Sequence, residues 1–316
     1  MKVRVGLVIL GLVVIACLQQ ETFAGTIVSW GSMKTPYDDG LTGIAAIAAG
    51  GGHTLFLKTD GSILACGESD SGQATAPLGN DFVAIAAGGG HSLALKRNGS
   101  IVGWGDNRSG QATPPDGNDF IAIAAGGSYS QLMVFPPNEG THSLALRKDS
   151  SIVGWGNNYD SNGNWVGQAT PPDGNNFIAI AAGQWHSLAL RKDGSIVGWG
   201  YNYYGEATPP DGNDFIAIAA GGEHSLALTR DGSIMGWGGN WAGQATPPDG
   251  NHFIAIAAGG GYSLALKRGE EETCNFKVAG DLNNDCLVNL YDFAAFAGDW
   301  LVDCSAVPTD PGCIPK

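Results

Sequence analysis

The chain is dominated by near-copies of one stretch of 24 residues. Residues 215–238 read FIAIAAGGEHSLALTRDGSIMGWG, and close variants recur along most of the sequence. Six equivalent positions, spaced by 38, 51, 44, 38 and 38 residues, mark the copies: His53, His91, His142, His186, His224 and Tyr262. A period near 40 with several short apolar runs per copy predicts a ring of small sheets, a β-propeller.

Each copy contains four runs that predict strands. FIAIAA, HSLAL and SIVGWG each alternate in side-chain size or polarity, as strands do. Asp-Gly or Asn-Gly joins the second and third runs and predicts a hairpin. The fourth run, GQATPP, ends in prolines and is typical of an edge strand. We therefore expect an all-β fold with four antiparallel strands in each blade.

The ends of the repeat region complement each other. Residues 26–31 (TIVSWG) form a third run without a second run before it, and residues 263–267 (SLALK) form a second run without a third after it. The simplest arrangement pairs these two segments in one blade, which closes the ring and leaves no exposed edge. The count is then six blades, with seven as the alternative.

The repeat IAIAAGGEHSLAL followed by DGSIMGWG resembles that of the regulator-of-chromosome-condensation family, which includes secreted bacterial relatives such as the β-lactamase inhibitory propeller proteins. The resemblance covers residues 26–268 and implies a propeller, usually of seven blades. The chromatin and nucleotide-exchange roles of the eukaryotic members are not expected here, because this chain is acidic and has no basic tail.

The recurring histidines predict a structural hydrogen bond from imidazole to the backbone, with a metal-binding ring as the alternative. Functional residues are expected where the copies differ. Two insertions, around residues 127–140 and 157–167, follow the first and third strands of one copy and so emerge at one end of the blade. Copy-specific aromatic residues in the same connections predict a ligand-binding face for a protein or a glycan: Tyr129, Tyr159, Trp165, Trp185, Tyr201, Tyr203, Tyr204 and Trp241.

The N-terminus predicts export. Residues 1–24 have a basic start, an apolar core and small residues before position 25, which is typical of a secretory signal peptide and not of a membrane span. VIAC at residues 14–17 also resembles a bacterial lipobox, which would make Cys17 a lipid anchor. The expected location is therefore secreted, periplasmic or at the cell surface.

After a linker at residues 269–279, residues 280–316 predict a small helical calcium-binding module. Oxygen ligands fall at EF-hand spacing, with a backbone carbonyl at the seventh position: Asp281, Asn283, Asp285, Leu287, Asn289 and Asp292. Loop and following helix resemble one dockerin repeat. Dockerins carry two repeats with glycine at position six, where this chain has Cys286, so a cohesin partner is in doubt. Two disulfides are expected among Cys274, Cys286, Cys304 and Cys313.

Composition and motifs favour a binding protein over an enzyme. A net charge of −14 argues against nucleic acid as a partner. No nucleophile elbow, zinc motif or phosphate loop occurs in the sequence. Asp160 or Glu206 could act as a general acid, but the sequence pairs neither with a second carboxylate. The expected function is presentation of one decorated face to a protein, with a carbohydrate-associated role as the alternative.

Overall fold

The computed structural model describes residues 43–127 and 141–267, together with two short strands at β1 (Ile9–Leu10) and β2 (Val13–Val14), which pair with each other. The longer ranges form six antiparallel sheets in chain order. Their strands are β3 (Ile44–Ala49), β4 (His53–Lys58) and β5 (Ile63–Gly67); β6 (Phe82–Ala87), β7 (His91–Lys96) and β8 (Ile101–Gly105); β9 (Phe120–Ala125), β10 (His142–Arg147) and β11 (Ile152–Gly156); β12 (Phe177–Ala182), β13 (His186–Arg191) and β14 (Ile196–Gly200); β15 (Phe215–Ala220), β16 (His224–Thr229) and β17 (Ile234–Gly238); and β18 (Phe253–Ala258) with β19 (Ser263–Lys267).

The sheets, numbered 1 to 6 in that order, repeat one register. In sheet 2, Leu93 of the middle strand β7 faces Ala86 of β6 on one side and Gly103 of β8 on the other. Because each strand reverses the previous one, the first and third strands end at the same end of the sheet. We call this the loop end, and we call the opposite end, where a hairpin joins the middle and third strands, the turn end.

The prediction of four strands per blade is wrong for the described residues, because sheets 1 to 5 have three strands and GQATPP forms turns. This segment still packs closely on its own sheet: a Cβ on Gly103 would lie 2.4 Å from the Ala112 carbonyl oxygen. Its carbonyl groups bond to side chains of the next sheet instead of to a strand. The Gln111 carbonyl, for example, accepts from Ser143 and Trp155.

The hydrophobic core lies between neighbouring sheets. The largest cluster joins Leu93 of sheet 2, Phe120 and Leu144 of sheet 3, and Phe177 of sheet 4, all nearly inaccessible to solvent. Sheets 1 and 2, 4 and 5, and 5 and 6 share similar clusters of alanine, leucine, isoleucine and phenylalanine. Each sheet is therefore stabilised mainly by the sheets next to it, as in other repeat proteins.

The predicted Asp-Gly and Asn-Gly hairpins are present at the turn end. In sheet 1, the Asp60 carboxylate accepts bonds from the amide and hydroxyl of Ser62, and Gly61 adopts a φ of 84°. Sheet 3 has Ser150 at the glycine position, and this serine has a φ of 69°, the one positive φ of a non-glycine residue in the described part of the chain. The turn geometry is thus kept even where its preferred residue is missing.

The six sheets converge on one axis at the loop end. A chain of backbone hydrogen bonds links each sheet to the next: Gly51 to Gly88, Gly89 to Gly126, Gly127 to Gly183, Gln184 to Gly221, and Gly222 to Gly259. Glycine and alanine residues from all six sheets, with Gln184 and Tyr262, surround a cavity of about 230 Å³. Strand ends built from small residues permit this close approach.

Sheet 6 has two strands within the described residues. Residues 26–31, which we expect as its third strand, lie outside those residues, so ring closure and blade number stay predictions. The helical module at residues 280–316 also lies outside them. Within the described ranges, no helix is long and apolar enough to cross a bilayer.

Candidate recognition surface at the loop end

A repeated hydrogen-bonded unit, which we call a joint, connects neighbouring sheets. In the first joint, His53 of sheet 1 and the carbonyl of Gln73 meet Ser92 and Trp104 of sheet 2. The His53 Nε2 atom lies 2.7 Å from Ser92 Oγ, Ser92 donates to the Gln73 carbonyl at 2.9 Å, and Trp104 Nε1 donates to the same carbonyl at 2.8 Å. The joint is therefore a relay from histidine to serine to a backbone carbonyl.

The relay recurs at each boundary between described sheets. The histidine–serine pairs of the other joints are His91 with Ser143, His142 with Ser187, His186 with Ser225, and His224 with Ser263, at 2.8–2.9 Å. The accepting carbonyls belong to Gln111, Gln168, Glu206 and Gln244. Tryptophan shares the carbonyl in the first four joints.

The relay requires a proton on Nε2 of each joint histidine. Because a carbonyl can only accept, the serine proton points to it, and the serine oxygen must then accept from a protonated Nε2. Burial lowers the pKa of His53 and His224 to about 4 and that of His91 and His186 to about 3. These four imidazoles are thus neutral at pH 7 and donate from Nε2.

The structural role predicted for the recurring histidines is confirmed, although their partner is a serine hydroxyl and not the backbone. Repetition in the sequence showed that the position mattered, but the partner lies in the next copy and no local pattern reveals it. The described residues contain no cluster of three histidine, cysteine, aspartate or glutamate side chains able to hold a metal ion.

The second insertion forms a small hairpin at the loop end. Tyr159 and Trp165 make an isolated β-bridge, and their rings meet edge to face with centroids 5.3 Å apart. The Asp160 carboxylate closes the turn by accepting from the amides of Asn162 and Asn164. Trp165 is 60% exposed, so this hydrogen-bonded hairpin presents an aromatic side chain to solvent.

The other predicted aromatic residues form a continuous chain of ring contacts, which we call the aromatic row. Ring centroids lie 5.8 Å apart from Trp185 to Tyr201, 6.4 Å from Tyr201 to Tyr203, 4.9 Å from Tyr203 to Tyr204, and 5.3 Å from Tyr204 to Trp241. The row starts in two loops of sheet 4 and ends in a loop of sheet 5. Tyr203 is 76% and Trp241 61% exposed.

Two acidic residues lie beside the row, and the sequence analysis did not pair them. Glu206 is buried and accepts a 2.9 Å bond from the Tyr204 amide. Burial raises the pKa of its carboxyl, and the charge of Glu223 raises it further. Burial also raises the pKa of Glu223. The sequence shows that Glu206 stands where the other copies have Gln73, Gln111, Gln168 and Gln244, but it does not show that Glu223 lies beside it.

The structure thus brings together the predicted loop residues from 159 to 241, in one hairpin and one row. Several other predicted residues lie outside the described ranges: Tyr129 of the first insertion; the calcium ligands Asp281, Asn283, Asp285, Leu287, Asn289 and Asp292; and the cysteines at 274, 286, 304 and 313. Cys66, which replaces a joint tryptophan, is a free thiol, and burial raises its pKa.

Comparison with known proteins agrees with this architecture. The family model of the regulator of chromosome condensation (RCC1) repeat matches residues 44–73, 82–111, 177–206 and 215–244, which correspond to sheets 1, 2, 4 and 5 with the segment that follows each. The copy with the two insertions is not among the matched segments. Among curated proteins, no sequence matches the chain.

Solved structures of RCC1-type proteins share the fold. Yeast RCC1 (Prp20), in its complex with Kap60, is 20% identical with a TM-score of 0.55, over 71% of this chain and 68% of that one. Prp20p from Saccharomyces cerevisiae is 21% identical with a TM-score of 0.56, over 72% and 70%.

The ectodomain of the Physcomitrella patens receptor kinase CR4 is 22% identical with a TM-score of 0.56, over 72% of this chain and 59% of that one. At these identities the likeness concerns the fold alone. The chain therefore carries RCC1-like repeats, and its fold is similar to that of RCC1-type β-propellers.

Proposed function

We propose that this protein is an exported, non-enzymatic binding protein that presents its loop end to a protein partner. The observation that carries the proposal is the aromatic row, which is contiguous across two sheets and largely exposed. Tyrosine and tryptophan are enriched among the residues that dominate protein interfaces, because they bury a large area at a small entropic cost. The turn end offers no comparable aromatic surface among the described residues.

The fold supports a binding role. An RCC1-type propeller is a protein-binding scaffold, and the similar yeast structures concern complexes or binding to Kap60, Gsp1p and histones. Those partners belong to the yeast protein. For this chain we infer an extracellular or cell-envelope partner, because residues 1–24 have the pattern of a secretory leader and Cys17 offers a site for lipid attachment.

The proposal is tested by capture experiments that compare variants. The full chain, a Tyr203→Ala/Trp241→Ala variant and an Asp211→Ala/Asp249→Ala variant at the turn end are each immobilised and exposed to envelope extract. A partner held by the wild type and the turn-end variant, but lost by the loop-end variant, supports the proposal. Equal capture by all three proteins would overturn it.

We also propose that residues 26–31 complete sheet 6. Within the described residues β19 has no third strand beside it, whereas the equivalent strand β16 pairs with β17. In the register of sheet 2, where Ala94 faces Val102, Ala265 would face Val28. A Val28→Cys/Ala265→Cys variant should form that disulfide, identified by peptide mapping. Absence of this disulfide would contradict the pairing of residues 26–31 with β19. Equal cross-linking in a Val28→Cys/Asp249→Cys variant would contradict it as well.

The third part of the proposal is a calcium site in residues 280–316, which anchors or stabilises the tail. The donors of residues 281–292 are the hard oxygen ligands that Ca²⁺ prefers. Calorimetry on the full chain should detect Ca²⁺ binding that Asp281→Ala abolishes and that Asp211→Ala leaves unchanged. Equal heats for the wild type and Asp281→Ala would refute the site.

Carbohydrate binding is the second candidate, favoured by the exposed rings of Tyr203 and Trp241, because such rings can stack on sugars. A glycan array distinguishes the two candidates. Saturable binding of a glycan by the wild type, lost in Trp241→Ala, would favour a carbohydrate ligand over a protein partner.

A further inference from the structure

Glu206 is a buried carboxyl group at a position where the fold needs none. The four equivalent residues are glutamines, and three of them accept the same kind of backbone bond in their turns: Gln73 from Ser71, Gln111 from Ser109, and Gln244 from Ala242. Glutamine therefore satisfies the turn. Glutamate adds a charge that burial opposes, and only 1% of Glu206 is exposed.

Glu223 brings a second carboxyl group to the same place from a different loop. Gly238 lies between the two residues: a Cβ there would be 2.9 Å from Glu206 Cβ and 2.8 Å from the Glu223 carbonyl oxygen. Within the described residues, no lysine or arginine forms an ion pair with either glutamate. The site thus holds two partly desolvated acids without a counter-charge.

The negative charge extends to the aromatic row. Burial raises the pKa of the Tyr201 hydroxyl, and the charges of Glu206 and Glu223 raise it further. Trp241 packs over the backbone of Gly239, whose amide donates to the Glu223 carbonyl at 2.7 Å. The rings and the two acids therefore belong to one surface, built by sheets 4 and 5.

The loop end as a whole also carries a net negative charge. Its described loops carry six acidic residues: Glu68, Asp70, Asp106, Asp160, Glu206 and Glu223. Their one basic residue, Arg108, is bound by both oxygens of Asp106. The other described lysines and arginines lie at or next to the turn end: Lys58, Lys96, Arg97, Arg147, Lys148, Arg191, Lys192, Arg230 and Lys267.

We propose that the aromatic row, with Glu206 and Glu223, binds a lysine or arginine side chain of the protein partner. A cation over the face of tyrosine or tryptophan is attracted by the ring, more strongly when water is excluded. The partner's charge would also supply the counter-ion that the two glutamates lack. The inference rests on the proposed partner binding at the loop end and adds the chemistry by which the partner is recognised.

Other ligands fit these observations less well. A neutral sugar would stack on the rings but would leave both carboxyl groups without a counter-charge. A calcium ion takes six to eight oxygen ligands, more than two carboxyl groups surrounded by rings can supply. A cationic side chain uses the rings and the acids together.

The test uses a deca-lysine peptide and its fully Nε-acetylated form, titrated into the full chain by calorimetry at low ionic strength. Glu206→Gln/Glu223→Gln should weaken deca-lysine binding about tenfold. Asp211→Asn/Asp249→Asn removes the same charge from the turn end and should change the affinity less than twofold. The acetylated peptide should not bind, and Trp241→Leu should weaken binding of the unmodified peptide.

Equal losses in the two double variants would show that only net charge attracts the peptide and would overturn the inference. Binding of the acetylated peptide would overturn it as well. Suppose that partner capture depends on Tyr203 and Trp241, but that deca-lysine affinity is unchanged in Glu206→Gln/Glu223→Gln. This pair of results would refute the cation site and leave the proposed function supported. The opposite result is loss of deca-lysine binding in the glutamate variant when no captured partner depends on the aromatic row. It would support the cation site and count against the proposed function.

Discussion

The joints between the sheets and the aromatic row above them are built from similar side chains but obey different rules. The joints hold histidine, serine and tryptophan in buried or half-buried relays, repeated with the same bonds at successive boundaries. The row holds tyrosine and tryptophan in exposed contacts that occur in one part of the ring. The fold requires the joint side chains at each boundary, whereas it does not require the side chains of the row.

In a repeat protein, function is best sought at positions where the copies differ. A side chain required by every sheet cannot vary without a loss of stability, so recognition must use positions that the sheets do not share. Glu206 belongs to both regions: its carbonyl completes a joint with Ser225 and Trp237, and its carboxyl group lies beneath the row. Single substitutions can therefore distinguish the contribution of the joints to stability from the contribution of the row to binding.

The largest effect of a single substitution is expected from a joint histidine. His91→Ala should lower the free energy of unfolding by about 3 kcal/mol, because it leaves a cavity and removes the donor to Ser143. Urea denaturation followed by tryptophan fluorescence measures the loss. His252→Ala, at an exposed histidine outside the joints, is the control and should change stability by less than about 0.5 kcal/mol. Equal effects would show that the joints are dispensable.

Acid should weaken all the joints together. Joint histidines have folded pKa values of about 3 to 4 against an unfolded value of 6.5, so the unfolded state binds more protons between these limits. Their stabilisation is fully present above pH 6.5 and is lost as the pH falls through the folded pKa values, at about 3 to 5 kcal/mol for each such histidine.

Urea midpoints measured from pH 7.5 to pH 4.5 test this dependence, and they should fall steadily. Glu206 and Glu223 have raised pKa values and act in the opposite direction as they are protonated, but they are fewer than the histidines. A midpoint that does not change over this range would contradict the neutral state of the buried imidazoles.

Much of the joint region could be predicted from the sequence, because it is repeated. The alternation of FIAIAA and HSLAL located the first two strands, and the fixed histidine indicated a structural bond. The role of GQATPP was mispredicted for a physical reason. Its backbone groups bond to Ser92 and Trp104 of the following copy in the first joint, and such distant partners leave no trace in local periodicity.

The aromatic row was predictable as a set of residues on one end but not as a chain of contacts. Antiparallel topology places the first and third connections together, which brought Trp185 and Tyr201 to one end. The contact between Tyr204 and Trp241 depends on the angle between sheets 4 and 5, which no single copy specifies. Glu223 was missed because its neighbour Glu206 is distant in the chain and the two meet only across sheets.

A smaller effect of opposite sign is expected at the residue shared by both regions. Glu206→Gln introduces the side chain of the other turns and removes a buried charge, so it should raise stability by about 1 kcal/mol at pH 7. The folded pKa of Glu206 is raised, so the charged form is penalised at high pH, and the gain should shrink as the pH falls toward 4.5. Gln168→Glu, the reverse change at another joint, should destabilise the protein. A loss of stability in Glu206→Gln would show that the carboxyl group serves the fold.

The smallest effect on stability is expected within the row itself. Tyr203 is 76% exposed, touches Tyr201 and Tyr204 at the surface, and makes no hydrogen bond within the described residues. Tyr203→Ala should therefore shift the free energy of unfolding by less than about 0.5 kcal/mol, measured by the same urea titration as His91→Ala. Partner capture by this variant should fall although the protein remains fully folded. A loss of stability as large as that of His91→Ala would mean that the row braces sheets 4 and 5, and the division between a region for folding and a region for binding would no longer hold.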